Sequence, residues 1–406
     1  MSSNLKGNSP FYPGQPVPVE LFSGREEQLR RILERGVAQV ERGKPVAMFI
    51  QGEYGIGKSS IAGYTQYYAE RNHGLHRIYA PLGAINSIDE VGSAILKATV
   101  QSGAMMPNRE EIVRDWLSKY IGEQELFGVK LHFDALRKDG PQIANGILPF
   151  LHEICNKLSP AGVKGVFLVL DEINGITQNP RFAHFIKGLI DENALSSRPV
   201  PLLLMLCGVE ERRQDMIQRH EPVGRIFDII DVEPMPSKDV VNFFRNAFES
   251  VQFKVETEAL HLMAEYSSGF PKIMHIIGDA AFWLDQDGTI DPMDAIKAVM
   301  TAAEEVGKRY VDQQVYRALR SEDYHNILRK IAEEPLAMKF QKRDIAEKLT
   351  TNEKKKFNNF LQRMKKLNVI RSGDVSGEYI FNVRMSRLYI GLQNFTNTRN
   401  EAQGRQ

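Results

Sequence analysis

One stretch constrains this chain more than any other. It runs Ala47-Met48-Phe49-Ile50-Gln51-Gly52-Glu53-Tyr54-Gly55-Ile56-Gly57-Lys58-Ser59-Ser60. The apolar start marks a buried strand. From Gly52 to Ser59 the pattern is G-x-x-x-x-G-K-S, and a helix follows through Ile61 and Ala62. Strand, glycine loop and helix in that order form a phosphate-binding loop. The glycines let backbone N–H groups turn inward onto phosphate oxygens, and the helix adds its positive N-terminal end. Gly52, Glu53, Tyr54, Gly55, Ile56, Gly57, Lys58, Ser59 and Ser60 are therefore expected to wrap the phosphates of a nucleoside triphosphate. Lys58 reaches the β- and γ-phosphates, and the Ser59 hydroxyl holds Mg²⁺. The bland alternative, a glycine-rich turn with an incidental lysine, leaves the flanking strand and helix unexplained.

The chain is long enough, at 406 residues, for two or three domains with their own cores. Its 42% hydrophobic and 25% charged residues are those of an ordinary globular protein. No apolar run has the length of a membrane span, and Met1 to Pro10 lacks the apolar core of a signal peptide. Cys155 and Cys207, the two cysteines, lie in apolar stretches and read as small core residues, not a disulfide framework. These features together predict a cytoplasmic protein. The net charge of +1 is uneven. Residues 339–390 carry 13 Lys or Arg against 5 Asp or Glu, a local +8 that leaves −7 for the rest. The C-terminal part is thus expected to meet something anionic.

Residues 1–21, with Pro10, Pro13, Pro16 and Pro18, form an extended arm strapped across a neighbouring surface. Ser23 and Glu26 are spaced as a capping box opening a helix to about Arg42. Strands follow at 77–82, 165–170, 201–208 and 226–232, alternating with helices, which predicts a doubly wound parallel sheet. Within 104–158 the pattern suggests a helix at 109–120, a short strand at 127–133 and a helix at 141–157. From Ser237 the pattern is purely helical, clearest where Ile273, Ile276, Ile277, Ala280, Ala281 and Leu284 share one face. Residues 308–395 read helix, helix, helix, hairpin, a winged helix-turn-helix. Its last helix, Glu353–Leu367, is opened by the Thr350/Glu353 capping box. Residues 396–406 read as a frayed tail.

Asp171-Glu172 ends the buried run Gly165–Leu170, at the edge where open α/β sheets place their chemistry. Adjacent carboxylates there call for a cation. Asp171 is assigned to Mg²⁺ and Glu172 to the attacking water as general base. Phosphoryl transfer also needs positive charge at the γ-phosphate. Arg225, before the fifth strand, is the first candidate, acting from a neighbouring subunit; Arg212, Arg213 and Arg219 lie on the helix before it. An arginine at a strand start is as often only a solvated surface charge.

With these residues in hand, the chain resembles AAA+ ATPases of the origin-recognition and replication-initiator clade, and the neighbouring STAND-type signalling ATPases, over about 8–390. Phe22-Ser23-Gly24-Arg25-Glu26 is similar to that group's F-x-G-R-E box, which in the family lies against adenine. Phe22, Gly24 and Arg25 are therefore expected at the nucleotide. Gly52–Ser59 resembles its Walker A motif and Leu170-Asp171-Glu172 its Walker B motif. Gly269-Phe270-Pro271 is similar to the G-x-P element of the helical lid, which puts Pro271 and Lys272 near the phosphates; capping of two helices is the plainer reading of that corner. The resemblance implies an ATPase core over 22–235 with an insertion at about 104–158, a helical lid over 236–307, and a winged helix over 308–395. Two departures point to slow hydrolysis. Cys207-Gly208 stands where a sensor is usually Asn, Ser or Thr, and Lys272 stands where initiators carry arginine.

In the winged helix, Lys354, Lys355, Lys356, Asn359, Arg363 and Lys366 fill non-core positions of the recognition helix, and Arg371 sits on the hairpin. Such residues suit a DNA major groove and its backbone. Winged helices also serve purely as protein contacts, and lysine runs are often merely solvated. Two functions follow. One is an ATP- and Mg²⁺-dependent DNA-binding switch that oligomerises and recruits a partner such as a nuclease, helicase or transposase. The other is a STAND-like interaction switch in phage defence or mobile-element control, without DNA reading. A metabolic kinase would leave the lid and winged helix unexplained.

Overall fold

A computed structural model describes residues 6–14, 22, 24–102, 140–333, 337–373 and 375–403. The helix expected at 109–120, the strand at 127–133 and Ser23 lie outside the described residues. The chain divides into two compact units. One is Pro16–Glu233; the other joins Met1–Gln15 to Pro234–Gln406.

The first unit is built on a five-stranded sheet. Its strands are β1 (Val46–Gly52), β2 (Leu75–Pro81), β3 (Gly165–Asp171), β4 (Leu202–Gly208) and β5 (Asp228–Val232), in the order β2-β3-β4-β1-β5. Every pairing is parallel. β3 and β4 are buried from end to end, as their unbroken apolar sequences require of strands covered on both faces. Helices make the crossovers: α1 (Glu26–Ile32), α2 (Ala38–Glu41), α3 (Lys58–His73), α4 (Ile88–Gln101), α5 (Gly140–Leu158), α6 (Pro180–Leu195) and α7 (Glu210–Arg219). A π-helical turn, Leu33–Val37, joins α1 to α2. The capping box expected from Ser23 and Glu26 involves Ser23, outside the described residues; α1 starts at Glu26, which is its first residue, and its cap is Arg25 in a left-handed conformation with no side-chain bond.

The second unit is mostly helical, with a two-stranded parallel ladder of β6 (Lys254–Val255) and β7 (Thr289–Ile290). Four helices, α8 (Ser237–Ser250), α9 (Thr257–Ser267), α10 (Pro271–Leu284) and α11 (Pro292–Val306), carry the helical pattern expected from Ser237. Beyond them come a π-helical segment, Gly307–Tyr316, then α12 (Glu322–Ala332), α13 (Lys342–Lys348) and α14 (Thr351–Lys366). Thr350 and Glu353 make the expected capping box on α14. Three short strands, β8 (Lys339–Gln341), β9 (Ile370–Ser372) and β10 (Glu378–Phe381), form an antiparallel sheet in the order β8-β10-β9. The sequence shows the β9/β10 hairpin but not β8, whose three residues are too few to set up a period. α15 (Arg384–Gln403) closes the chain.

The N-terminal arm is part of this helical core. Phe11 is buried and packs edge-on against Phe243 and Phe248, at centroid distances of 6.0 and 4.9 Å. Its ring fills the space that a Cβ on Gly278 would need. Lys6 Nζ donates to the carbonyls of Phe282 (2.6 Å) and Asp285, tying the arm to the free carbonyls at the end of α10. The arm's Tyr12 N–H donates to His275 Nδ1 at 3.2 Å. Truncating Phe11 to Ala should cost about 3 kcal/mol or more. Faster hydrogen exchange along α10 would report it.

His275 also makes this packing sensitive to acid. Burial pulls its pKa down to about 4 from the ordinary 6.5, and as an acceptor Nδ1 must stay unprotonated. The unfolded chain binds this proton from 6.5 downward and the folded chain does not. Stability is therefore fully present above pH 6.5 and lost towards pH 4, by on the order of 3 kcal/mol. His275→Asn keeps an acceptor but cannot titrate. Its urea midpoint should fall less than that of the wild type between pH 7 and pH 4.5.

Candidate phosphate-binding site

The parallel register brings the predicted phosphate loop and carboxylates to one edge of the sheet. β4 lies between β1 and β3, so the two strand ends stand two spacings, or about 10 Å, apart. Two glycines give the loop its shape. A Cβ on Gly52 would meet the Val232 carbonyl oxygen at 2.5 Å, so only glycine lets the loop leave the sheet beside β5. Gly57 has φ +100°, in the left-handed region, where it turns the chain into α3.

Lys58 is the first residue of α3. Its ammonium donates back to the carbonyls of Gly52 (2.9 Å) and Glu53 (2.7 Å) and lies 5.7 Å from the centre of the Tyr54 ring. Burial lowers its pKa, against the raising influence of Cys207, Asp171, Glu172 and Glu53. A buried ammonium held by loop carbonyls is well placed to exchange them for phosphate oxygens.

Asp171 is buried at the end of β3. Its Oδ1 accepts the Glu172 N–H at 2.8 Å, and its Oδ2 accepts the hydroxyl of Tyr79 on β2. Ser59 lies close enough to act on the same Tyr79 hydroxyl, whose pKa is raised, by burial first and then by the Asp171 charge. One phenolic hydroxyl is thus bonded to one predicted metal ligand and lies near the other. Ser59 and Asp171 converge, and their donor set, a hydroxyl and a carboxylate, fits a hard divalent cation such as Mg²⁺.

Glu172 has φ +55°, unusual for a residue with a side chain. It is exposed, and its carboxylate rests where a Cβ on Gly83, after β2, would lie. Across the mouth of the site, Asn174 Nδ2 donates to Tyr54 Oη at 2.6 Å, while the buried Asn174 Oδ1 has no partner among the described residues. An orphaned acceptor there is a place for a ligand's donor or a water.

Behind the loop, Arg25 donates to the carbonyls of Ile56 (3.0 Å) and Glu233 (2.5 Å). Its guanidinium therefore braces the loop backbone. Phe22 stacks on Tyr64 of α3 at 4.6 Å. Beneath the edge, Arg213 Nε donates to Gln51 Oε1 (2.8 Å) and Gln51 Nε2 to Asp231 Oδ1 (2.6 Å), joining α7, β1 and β5. Arg212 is paired with Asp215 at 2.8 Å. Arg225 is not drawn into this network. It lies in the 3-10 turn Glu221–Arg225, its side chain 84% exposed and 3.8 Å from Glu221. Cys207 is buried in β4, its thiol hydrogen-bonded to Asp171 and its pKa raised, by burial first.

Pro271 and Lys272 belong to the helical unit, where they open α10 after Gly269. There Gly269 is obligatory, because a Cβ would run into the Met235 backbone. The basic residues of α14 also lie in that unit. Lys354, Lys355, Asn359, Arg363 and Lys366 are exposed. Lys356 pairs with Asp323 at 2.5 Å, and the exposed Arg371 donates to Asn382 Oδ1 at 3.3 Å.

Tyr79 is absent from the sequence-derived set. It stands in register with Val169 of β3, and nothing in the sequence says that β2 is the strand beside β3.

No protein-family model matches the chain, and no curated protein matches it significantly. Solved structures share its fold. The Walker-type ATPase paby2304 of Pyrococcus abyssi is 19% identical, with a TM-score of 0.58, over 91% of this chain and 96% of that one. The Aeropyrum pernix ORC2 protein, in its ADPNP–ADP complexes, is 13% identical, with a TM-score of 0.62, over 96% and 97%. The fold is accordingly α/β, a five-stranded parallel sheet with further helical elements, shared with these two structures.

Tyr79→Phe removes a hydrogen bond to a buried carboxylate, worth about 1.5–3 kcal/mol. Without a divalent cation the variant should unfold at lower urea than wild type. Adding Mg²⁺ with a nucleotide should narrow the gap, because Asp171 then has another partner.

Proposed function

We propose that this chain is an ATP-binding AAA+ switch that hydrolyses ATP slowly and binds DNA through a winged helix formed by α12, α13, α14 and the β9/β10 hairpin. In this reading ATP binding drives self-association or recruitment of a partner protein. The observation that carries it is the meeting of Lys58, Ser59 and Asp171 at one sheet edge, with the Tyr79 hydroxyl bonded to Asp171 and near Ser59. Ser59 and Asp171 would hold Mg²⁺, which supplies charge neutralisation at the phosphates. Loop N–H groups and Lys58 position the triphosphate, Phe22 offers a ring to the base, and Arg25 keeps the loop in shape. Glu172 takes the proton of the attacking water, for which it must leave Gly83.

Slow turnover follows from three features. Glu172 starts turned aside, the sensor position holds a buried thiol with little hydrogen-bonding strength, and Arg225 is an exposed cation that could serve only where another subunit brings a phosphate to it. The DNA reading rests on the exposed cations of α14 and on Arg371. A specific observation favours the alternative, a STAND-like interaction switch: Met293, Ile296 and Met300 form an exposed apolar stripe on α11, and Trp283 is 54% exposed.

Lys58→Ala should lose ATP binding by at least a hundredfold in equilibrium titration. Glu172→Gln should bind ATP as wild type does and stop turnover, trapping the ATP-bound assembly in mass photometry. Equal ATP affinity in wild type and Lys58→Ala would remove the site assignment. DNA-stimulated turnover at tens per second would remove the switch.

A further inference from the structure

The helical unit contains a cleft of about 590 Å³ between the start of α12 and α14. One wall carries Arg317 and Arg320, from the turn that follows the π-helical segment. The facing wall carries Arg363 and Lys366 of α14. Among the described residues none of these four cations is ion-paired, and all four are exposed. Of the two acids in the first turn of α12, Asp323 is paired with Lys356 and Glu322 is exposed.

The uncharged lining has the same preference. Ser321 is the N-cap of α12, an eleven-residue helix, but its side chain makes no capping bond. The Tyr324 N–H donates to the Ser321 carbonyl at 3.0 Å, which leaves, among the described residues, the Ser321 hydroxyl and the N–H groups of Glu322 and Asp323 for another acceptor. Asn359 and Gln362 offer amides from α14, and Tyr324 offers part of a ring held edge-on to Phe360 at 5.6 Å. Four cations, a helix N-terminus and an aromatic surface suit a phosphate joined to a sugar and base better than a simple ion. A space of this volume also fits a nucleotide-sized group.

We propose that this cleft seats a nucleotide unit of the DNA strand running beside α14, with Arg317 and Arg320 holding its phosphates from the side opposite the hairpin. The inference rests on the DNA-binding reading above and adds residues to it from outside the recognition helix and hairpin. Helical geometry puts Asn359, Gln362 and Lys366 on the outermost ridge of α14, opposite its buried residues, and the cleft opens from that ridge towards α12. Lys356 and Arg363 flank that ridge on the α12 side, whereas Lys365 turns to the hairpin, where it bonds Ser372 at 2.6 Å. Arg317 and Arg320 stand on the α12 side of that ridge, where they meet backbone beside the groove that the helix enters and contribute affinity without reading sequence.

The test is fluorescence anisotropy with duplex DNA on the full chain, across a salt series, for four proteins. These are wild type, Arg317→Ala/Arg320→Ala, Lys354→Ala/Lys355→Ala, and Lys297→Ala/Lys308→Ala as a control with the same loss of charge outside the cleft. The expected result for the cleft pair is roughly tenfold weaker binding and a salt slope smaller by about 2. Sequence preference and ATP affinity should be unchanged, and the Lys297/Lys308 control should stay near wild type. Arg317→Lys/Arg320→Lys should recover most of the binding. Gln362→Glu, which leaves the arginines in place, should weaken it as well, so a folding defect in one variant cannot imitate the result. If Lys354→Ala/Lys355→Ala weakens binding and the cleft pair does not, the cleft proposal falls and the DNA reading stands. If the wild type binds no DNA, both fall.

Discussion

The phosphate-binding edge depends on where β1 sits. A parallel sheet brings segments distant in sequence to one edge because every strand ends on the same side. With β4 on one flank and β5 on the other, β1 delivers Gly52 against the Val232 carbonyl. The loop then has one way out, and the glycine that permits it cannot be replaced without moving β5. Arg25 completes the arrangement by joining the Ile56 carbonyl to Glu233, just past the same strand. The loop is held from both ends by backbone, and within it the Ile56 N–H closes on the Glu53 carbonyl at 3.4 Å.

Buried charge sets the chemistry of that edge. Asp171 cannot stay ionised in a covered strand end without donors, and the fold supplies the Glu172 N–H and the Tyr79 hydroxyl. Lys58, likewise desolvated, folds back on loop carbonyls. Each of these contacts uses a group that a nucleotide and its cation would also use. Each of these buried charges is therefore already partnered within the fold. Glu172 is the exception. Its left-handed backbone and its position against Gly83 hold its carboxylate apart from the loop.

The second unit is held together by its first residues as well as its last. Phe11 occupies a space cut out by Gly278, and Lys6 ends α10 where its carbonyls would otherwise lack donors. The C-terminal elements have a core of their own, with Phe357, Phe360, Leu361 and Met364 of α14 inside it. Burying that face commits the remaining positions of α14 to solvent, which is why its cations are presented outward.

By itself, the sequence determined the elements that rest on local rules. The phosphate loop, the carboxylates at the end of an apolar strand, the Thr350 cap and the α10 face are all written in short-range patterns of glycine, charge and period. Helix bounds followed to within a residue or two for the same reason. The start of α1 did not, because Arg25 is placed by two distant carbonyls and not by its neighbours in the chain. Tertiary structure alone decided which strand lies beside which, and with it the Tyr79–Asp171 bond, the Gln51–Arg213–Asp231 network and the bracing role of Arg25. It also decided that Phe11 is core and that Arg317 and Arg320 face α14 across a cleft. Each of these is a meeting of residues from separate elements, set by strand order and packing, for which a linear sequence carries no spacing rule.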